Sequence, residues 1–508
     1  MYRSRPEGSI DRGILNYVSS LKDDFAIFLY DIIESEAHVI MLHEIGYLSR
    51  GELVELLQAL EQAKLHPKSI MKKNEHEDVH ESVESFVVEK IGISKGGMLQ
   101  TARSRNDQVM TDLRMKVRND INEVSVLLGD LVESLLTSAD SNKETVMLLY
   151  THLQHAQIGT FSHYLLSYTE SLFRDMERLE ELYSRINQSP LGSLAIGGST
   201  FSVNRNRTAS LLGFDQLNIN SIDATSSRDV ILEYLSCLSI VMITLSRISE
   251  DLILWTTDEF KYIELADTAS STSSAMPQKK NPDPLEVLRS KSGGILGNLI
   301  ASMAILKGLP SGYSRDLQEL KSLVFSSTAT TESSLSMLRF VFDSSIVHKS
   351  RMLEIANNSF ANAIDVAELL TSKEHLDFRS AHKLVGSLVK LAICNGKRRL
   401  EDLCDSEIEQ LLKASGHRVR LESLKEIVVA CGAENLLALR KSKGSPNHSE
   451  QVEMILHNKM RLINFRDRTA KRKKAIDKAY DDLSKIVRSY VHSPQNRTRS
   501  VGRSYRQH

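Results

Sequence analysis

The sequence predicts an all-α protein: an elongated central bundle of long helices with a smaller helical domain at each end. Three observations carry that expectation. Proline occurs only 9 times and glycine 24 times in 508 residues, so the two strongest helix breakers are scarce. Aromatic residues make up 6% of the chain, a depletion that favours helices over strands and turns. Finally, Ile231, Tyr234, Leu235, Leu238, Val241, Met242, Leu245, Ile248 and Leu252 recur every three or four positions, the spacing of one buried helical stripe.

Taken in order, residues 1–100 read as shorter helices broken at Gly46, Gly51, Pro67 and the glycines of 92–97, an N-terminal cap. Long periodic stretches follow at 107–139, 151–187, 227–255, 284–307 and 320–351. The 227–255 helix alone would be about 40 Å long. Its apolar character wraps around the helix between 238 and 245, as burial on several sides of a bundle or an oligomer would require. The Gly-rich loop 187–206 lacks the G-K-[ST] ending of a phosphate loop and reads as a connection between helices. Short helices near 361–370, 378–393, 405–413 and 421–433 make a C-terminal domain. The expected division is 1–106, 107–355, 356–445 and a basic extension, 446–508.

Bulk properties exclude several classes. The first thirty residues are too charged for a secretory signal, with Arg3, Arg5, Glu7, Asp11 and Arg12 among them. The most apolar run, 234–246, holds about 13 residues against the roughly 20 of a membrane span. Cys237, Cys394, Cys404 and Cys431 show no CxxC spacing and suit reduced thiols in cytoplasm. Net charge is -1, which gives no global field for nucleic acid. Residues 457–508 do carry 15 Lys/Arg against 4 Asp/Glu, either a polyanion-binding tail or a solvated helix with a frayed end.

Chemistry concentrates in the loop before the 284–307 helix. Residues 269–274 are almost all Ser, Thr and Ala, small side chains that suit a mobile lid. Asn281 followed by Pro282 reads as a cap with proline at the first helical position, and Glu286 lies in the first turns. The positive end of that helix, with Lys279 and Asn281, can bind a carboxylate and stabilise negative charge developing on it. Without more, a Ser-rich linker before an ordinary capped helix explains the same residues.

Ser273-Ser274-Ala275-Met276-Pro277-Gln278-Lys279-Lys280-Asn281-Pro282 resembles the signature of the fumarase, aspartase and argininosuccinate lyase superfamily. Thr101-Ala102-Arg103-Ser104-Arg105-Asn106-Asp107-Gln108 looks like the argininosuccinate lyase form of a second signature, and Thr151-His152-Leu153-Gln154-His155 is similar to a third. Glu77-Asp78-Val79-His80, Ser227-Arg228-Asp229 and Tyr313-Ser314-Arg315-Asp316-Leu317-Gln318 follow in the family's order, and the likeness spans about residues 16 to 440.

The resemblance implies a fumarase/aspartase-like helical fold and a reversible elimination of argininosuccinate to arginine and fumarate, a step of arginine biosynthesis. It implies Ser273 as base, His152 in the acid/base apparatus and Glu286 orienting that histidine. Ser20, Ser104, Arg105, Asn106, Thr151, Lys279 and Asn281 would contact substrate, with Tyr313, Gln318 and Lys321 holding its arginine end. By chemistry alone, Arg103 and Arg105 both qualify as bidentate anion clamps. The family works without metal or organic cofactor, as a cytoplasmic homotetramer whose sites are shared between chains. Neither membrane nor nucleic acid is implied as a partner.

Departures from the family pattern are few. An N-terminal Trp-Gly-Gly-Arg-Phe is missing, Ala102 and Thr272 stand where glycine is usual, and Ile158 replaces a proline. Thr272 is expected to stiffen the lid. Three other readings remain: another fumarate-releasing lyase of the superfamily, a non-catalytic paralogue, and a zinc hydrolase using His76-Glu77-Asp78-Val79-His80 as H-E-x-x-H.

Overall fold

A computed structural model of the chain describes residues 10–72, 76–416 and 418–492. Six long helices organise it: α1 (Arg105–Ser141), α2 (Phe161–Ile186), α3 (Asp229–Thr256), α4 (Asp283–Leu306), α5 (Leu320–Ser344) and α6 (His448–Val491). Their apolar faces share one core, in which Leu128, Leu172, Leu238, Leu285, Leu335 and Leu462 are at most 5% exposed. Burying each such side chain contributes roughly 2 kcal/mol. α3 is long and apolar enough to cross a membrane, yet Ile231, Tyr234, Leu235, Val241 and Leu245 are fully covered by protein, so it is a core helix.

A second core joins the helices Phe28–Glu44, Arg50–Leu65 and Val79–Ile91 to Leu212, Phe214 and, from α6, Leu483 and Val487. A third lies among Ala363–Lys373, Phe378–Cys394, Asp405–Ser415 and Leu421–Ala430. Gly46 ends a helix with φ 83, as expected of a breaker, whereas Gly51 sits in the first turn of Arg50–Leu65, behind the Ser49–Glu52 capping box.

Two of the long periodic stretches divide differently from the expectation. Residues 151–160 do not open a helix. Val146–Thr151 and Gln154–Thr160 form an antiparallel hairpin, and α2 begins only after Thr160, whose hydroxyl caps it by accepting the His163 N–H at 3.0 Å. The 320–351 stretch breaks after Ser344, where Ile346–Val347 pairs with Ile263–Glu264 before the helix Lys349–Asn357 starts.

The described part of the basic extension is a helix with one face packed and the other solvated. It is the 44-residue α6, laid along α1 and α2. Its cations meet acids of those helices: Arg461 with Glu170 at 2.9 Å, Arg466 with Asp130 and Glu133 at 2.8 Å, and Lys473 with Glu123 at 2.6 Å. Such exposed pairs contribute at most about 1 kcal/mol each. The buried Arg118 binds more firmly, donating to Asn187 Oδ1 at 2.8 Å, to the Leu212 and Gly213 carbonyls and to Tyr480 on α6, while stacking on Phe214. Residues 493–508 of the basic tail lie outside the described residues.

Among the described residues nothing covers one face of α4. Val287, Leu296, Ile300 and Met303 are 42–59% exposed, and a Cβ added to Gly293, Gly294 or Gly297 would meet nothing within 4 Å.

Candidate active site

The chain reverses just before α1. Ala102 takes a left-handed φ of 57°, a conformation costing an alanine roughly 1–2 kcal/mol, at a position where glycine would be free of that cost. The reversal turns Arg103 inward, 5% exposed, onto Ser35 Oγ at 2.9 Å and Glu34 at 3.4 Å. Arg103 is therefore a structural cation and not an anion clamp. Ser104 then caps α1: its hydroxyl accepts the Asn106 N–H at 3.3 Å, and Asp107 accepts the Ser104 N–H at 2.9 Å. Arg105 stays part-exposed and faces three carboxylates, Glu77 and Asp78 at 3.3 Å and Glu81 at 3.7 Å. The Asn106 amide donates to the Ala195 carbonyl at 2.9 Å.

Glu77 links this helix start to a second group of residues. It also accepts from Arg315 at 2.9 Å, and Arg315 donates to the Val18 carbonyl at 2.6 Å. Two residues on, Ser20 meets Lys321, whose ammonium lies 3.1 Å from Ser20 Oγ and is ion-paired with the buried Asp24. Asp24 also accepts the Ser20 hydroxyl at 2.7 Å and the Val79 N–H at 3.1 Å. Gln318 donates to the Tyr313 hydroxyl at 2.8 Å, and burial brings the pKa of the Arg228 guanidinium down to about 10.

The lid is a hairpin in which Ser271 pairs with Asn281 and Thr272 with Lys280. Thr272 thus occupies extended backbone, which suits a β-branched side chain. Ser273 follows at the tip, where its Oγ accepts the N–H groups of Met276 at 3.1 Å and Ala275 at 3.3 Å. Donors so placed favour the deprotonated oxygen. Asn281 is not the helix cap: α4 starts at Asp283 with Pro282 as cap residue and no side-chain bond across its first amides. Lys280 is bound to Glu264 at 3.0 Å, Asp267 at 2.9 Å and the Leu265 carbonyl. Lys279 is exposed and has no ion-pair partner among the described residues. Lys279, Asn281, Glu286 and His348 line a cavity of about 670 Å³ beside the lid.

Thr151 and His152 stand at the exposed tip of the Val146–Thr160 hairpin, where His152 and Leu153 have φ of 55° and 56°. No hydrogen bond joins His152 to Glu286, or either of them to Ser273, among the described residues. One chain therefore assembles Ser20, Arg105 and Lys321 around Glu77 and Asp24, pairs Gln318 with Tyr313 on the segment whose Arg315 reaches Glu77, and gathers Lys279, Asn281 and Glu286 at the lid. His152 is hydrogen-bonded to neither group among the described residues.

His76 precedes the helix Val79–Ile91, whose cap is Asp78, so His76 and His80 do not share a helical turn. His80 Nδ1 is bound to Asp31 at 2.9 Å. The zinc-hydrolase reading loses its geometry. Asp24, Glu77, Arg315 and His348 were not assigned roles from sequence. Asp24 had a local signal, four residues after Ser20; His348 reaches its cavity only through the Ile263–Val347 pairing.

Comparison with known proteins follows the same lines. A family model for lyases matches residues 43–297, and one for the argininosuccinate lyase C-terminal region matches residues 360–429. Over 487 residues the chain is 42% identical to an argininosuccinate lyase of Nitrosopumilus maritimus, covering 96% of this chain and 99% of that one. An argininosuccinate lyase of Methanothrix thermoacetophila is 37% identical over 481 residues, 94% and 97% of the two chains. Among solved structures, an EDDS lyase in complex with formate superposes with a TM-score of 0.83 at 27% identity, covering 96% and 97% of the chains. A class II fumarase from Schistosoma mansoni gives 0.68 at 15% identity, covering 82% and 93%, a likeness of fold alone.

Proposed function

The chain belongs to the argininosuccinate lyase family, a group of carbon–nitrogen lyases that release arginine and fumarate from argininosuccinate, and from its own geometry we propose how it does so. Ser273 removes the proton from the succinyl carbon next to a carboxylate. The observation that carries this role is the pair of N–H groups, from Ala275 and Met276, aimed at Ser273 Oγ, which offset the weakness of serine as a base. Lys279, Asn281 and the uncapped amides of α4 take up the negative charge that builds on the carboxylate, so the chemistry asks for no metal or organic cofactor. A group associated with His152 returns a proton to the departing guanidinium, and Glu286 orients that histidine.

Substrate carboxylates engage Ser104, Arg105, Asn106 and Thr151, while Ser20, Tyr313, Gln318 and Lys321 hold the arginine end. Glu77 and Asp24 pair with the cations of this pocket, which supports the reading that anionic and guanidinium groups belong there.

His152 and the lid come together between chains. The bare face of α4, apolar and lined with glycines that allow close helix approach, supports a homotetramer with composite sites. The division at 106, 355 and 445 and a cytoplasmic location belong to the same proposal; the apolar core of the helices between 363 and 430 supports a unit after 355, whereas α6 shares the other two cores.

Ser273→Ala tests the chemical assignment. Fumarate release from argininosuccinate should vanish while substrate binding, measured by calorimetry, stays near wild type; unchanged turnover refutes the role. Run on wild type, the same fumarate assay with argininosuccinate, adenylosuccinate, aspartate and malate should respond to the first alone.

A further inference from the structure

The loop between α2 and α3, expected to be a plain connection, is fastened to the start of α1. Asp107 is fully buried and divides its two oxygens between two tasks. Oδ1 accepts the Ser104 N–H at 2.9 Å and so caps the helix, whereas Oδ2 accepts the N–H groups of both Gly192 and Leu194 at 2.9 Å. The next residue, Ala195, presents its carbonyl to the Asn106 amide at 2.9 Å, and the Gly198 N–H closes the turn on the Ser193 carbonyl at 3.0 Å.

At its far end the loop reaches the other substrate segment. Ile196 lies against Gly312, the residue before Tyr313, closely enough that a Cβ on Gly312 would sit 3.2 Å from Ile196 Cδ1. The backbone in between is forced: Gly192 and Gly198 have φ of 88° and 75°, and Leu194, a bulky residue, is held at 55°. A leucine in that region persists only where its surroundings over-determine it.

We propose that residues 192–198 form a positioning strap that Asp107 docks onto α1, so that Ala195 fixes the Asn106 amide while Ile196 abuts the Tyr313 segment. The strap sets the distance between the residues that take the succinyl carboxylates and those that take the arginine end. One N–H of Asn106 is spent on Ala195, which leaves its carbonyl and second N–H aimed for ligand. This inference rests on the assignment of Ser104, Arg105 and Asn106 to substrate carboxylates.

The test compares Asp107→Asn, Asn106→Ala, their double variant and Ile196→Ala in the full-length enzyme, following fumarate release from argininosuccinate. Asparagine offers one acceptor oxygen to three N–H groups, so it cannot hold both the Ser104 N–H and the strap, and whichever way its amide turns the link between helix start and strap is broken. Asp107→Asn should raise KM about tenfold with kcat within about twofold. In the double variant the KM should rise by less than the product of the two single effects, because part of the Asp107 effect passes through Asn106 and the rest through Ile196. Ile196→Ala, a change at a half-exposed side chain, should raise KM severalfold at unchanged melting temperature, and it decides the matter if Asp107→Asn fails to fold. The strap is refuted if Asn106→Ala raises KM while Asp107→Asn or Ile196→Ala leaves it unchanged, or if the two KM effects multiply. If Asn106→Ala itself leaves KM unchanged, the carboxylate assignment falls and the strap's role falls with it.

Discussion

Lys321→Met separates what the buried ion pair does for stability from what its cation does for substrate. Lys321 and Asp24 are 1% and 0% exposed, and methionine matches the lysine stem while deleting the ammonium. Removing one partner of a buried pair costs about 3–5 kcal/mol, because the remaining charge is stranded. Asp24 keeps the Ser20 hydroxyl at 2.7 Å and the Val79 N–H at 3.1 Å, so the lower bound applies. About 3 kcal/mol corresponds to roughly a hundredfold change in the folding equilibrium. Substrate should lose one charge-assisted bond as well, about 1.5–3 kcal/mol, or roughly 10- to 100-fold in kcat/KM. In the double variant with Asp24→Asn no charge is stranded, so most of the stability should return while kcat/KM stays low. Urea unfolding followed by circular dichroism and the fumarate assay give the two numbers. A stability loss below about 1 kcal/mol in the single variant, or recovery of kcat/KM in the double, would refute the reasoning.

The pH dependence of stability is governed by buried acids near α1. Burial pushes Asp107 up to about 6 and raises Asp112 and Glu34, which also face each other and Asp31. Groups whose pKa rises on folding contribute stability that is complete below the ordinary carboxylate range and lost as pH climbs through their folded values. Melting temperature should therefore fall as pH rises from about 4 through about 6, the window Asp107 sets, and fall less steeply in Asp112→Asn, which stays neutral; a wild-type melting temperature that climbs over that range contradicts this. Ile300→Glu tests the exposed face of α4: Ile300 is 59% exposed in the single chain, so the fold should survive, whereas light scattering should show smaller particles and fumarate release should drop with them. Retention of the wild-type mass would move the interface elsewhere.

The helical architecture was readable because it depends on local periodicity and on the rarity of breakers. α1, α3 and α4 start and end within two residues of their apolar stripes. The errors occur where tertiary pairing overrode periodicity. Residues 146–160 became a hairpin although the stretch beyond 151 has helical spacing, and Ser345 ends α5 because Ile346 and Val347 pair with a distant segment. Among the glycine replacements, sequence singled out Thr272, yet the extended lid strand accepts threonine, and the left-handed backbone falls at Ala102. Motif residues could be named from the sequence; their partners could not. That Arg103 turns inward to Glu34 while Arg105 faces Glu77 depends on one reversed φ, and Asp24 beneath Lys321 joins residues about three hundred positions apart. The loop 187–206 looked like a linker because its contacts with Asp107 and Asn106 are made by backbone groups, which leave no residue-type signature.

In the proposed tetramer Ser273 of one chain works opposite His152 of another. Two inactive variants, Ser273→Ala and His152→Ala, should each release no fumarate from argininosuccinate. Dissociated, mixed and reassembled, they should regain a substantial fraction of wild-type turnover, because some sites then combine an intact Ser273 with an intact His152. If mixtures at every ratio stay as inactive as the parents after reassembly is verified by light scattering, both groups act within a single chain and the composite site is wrong.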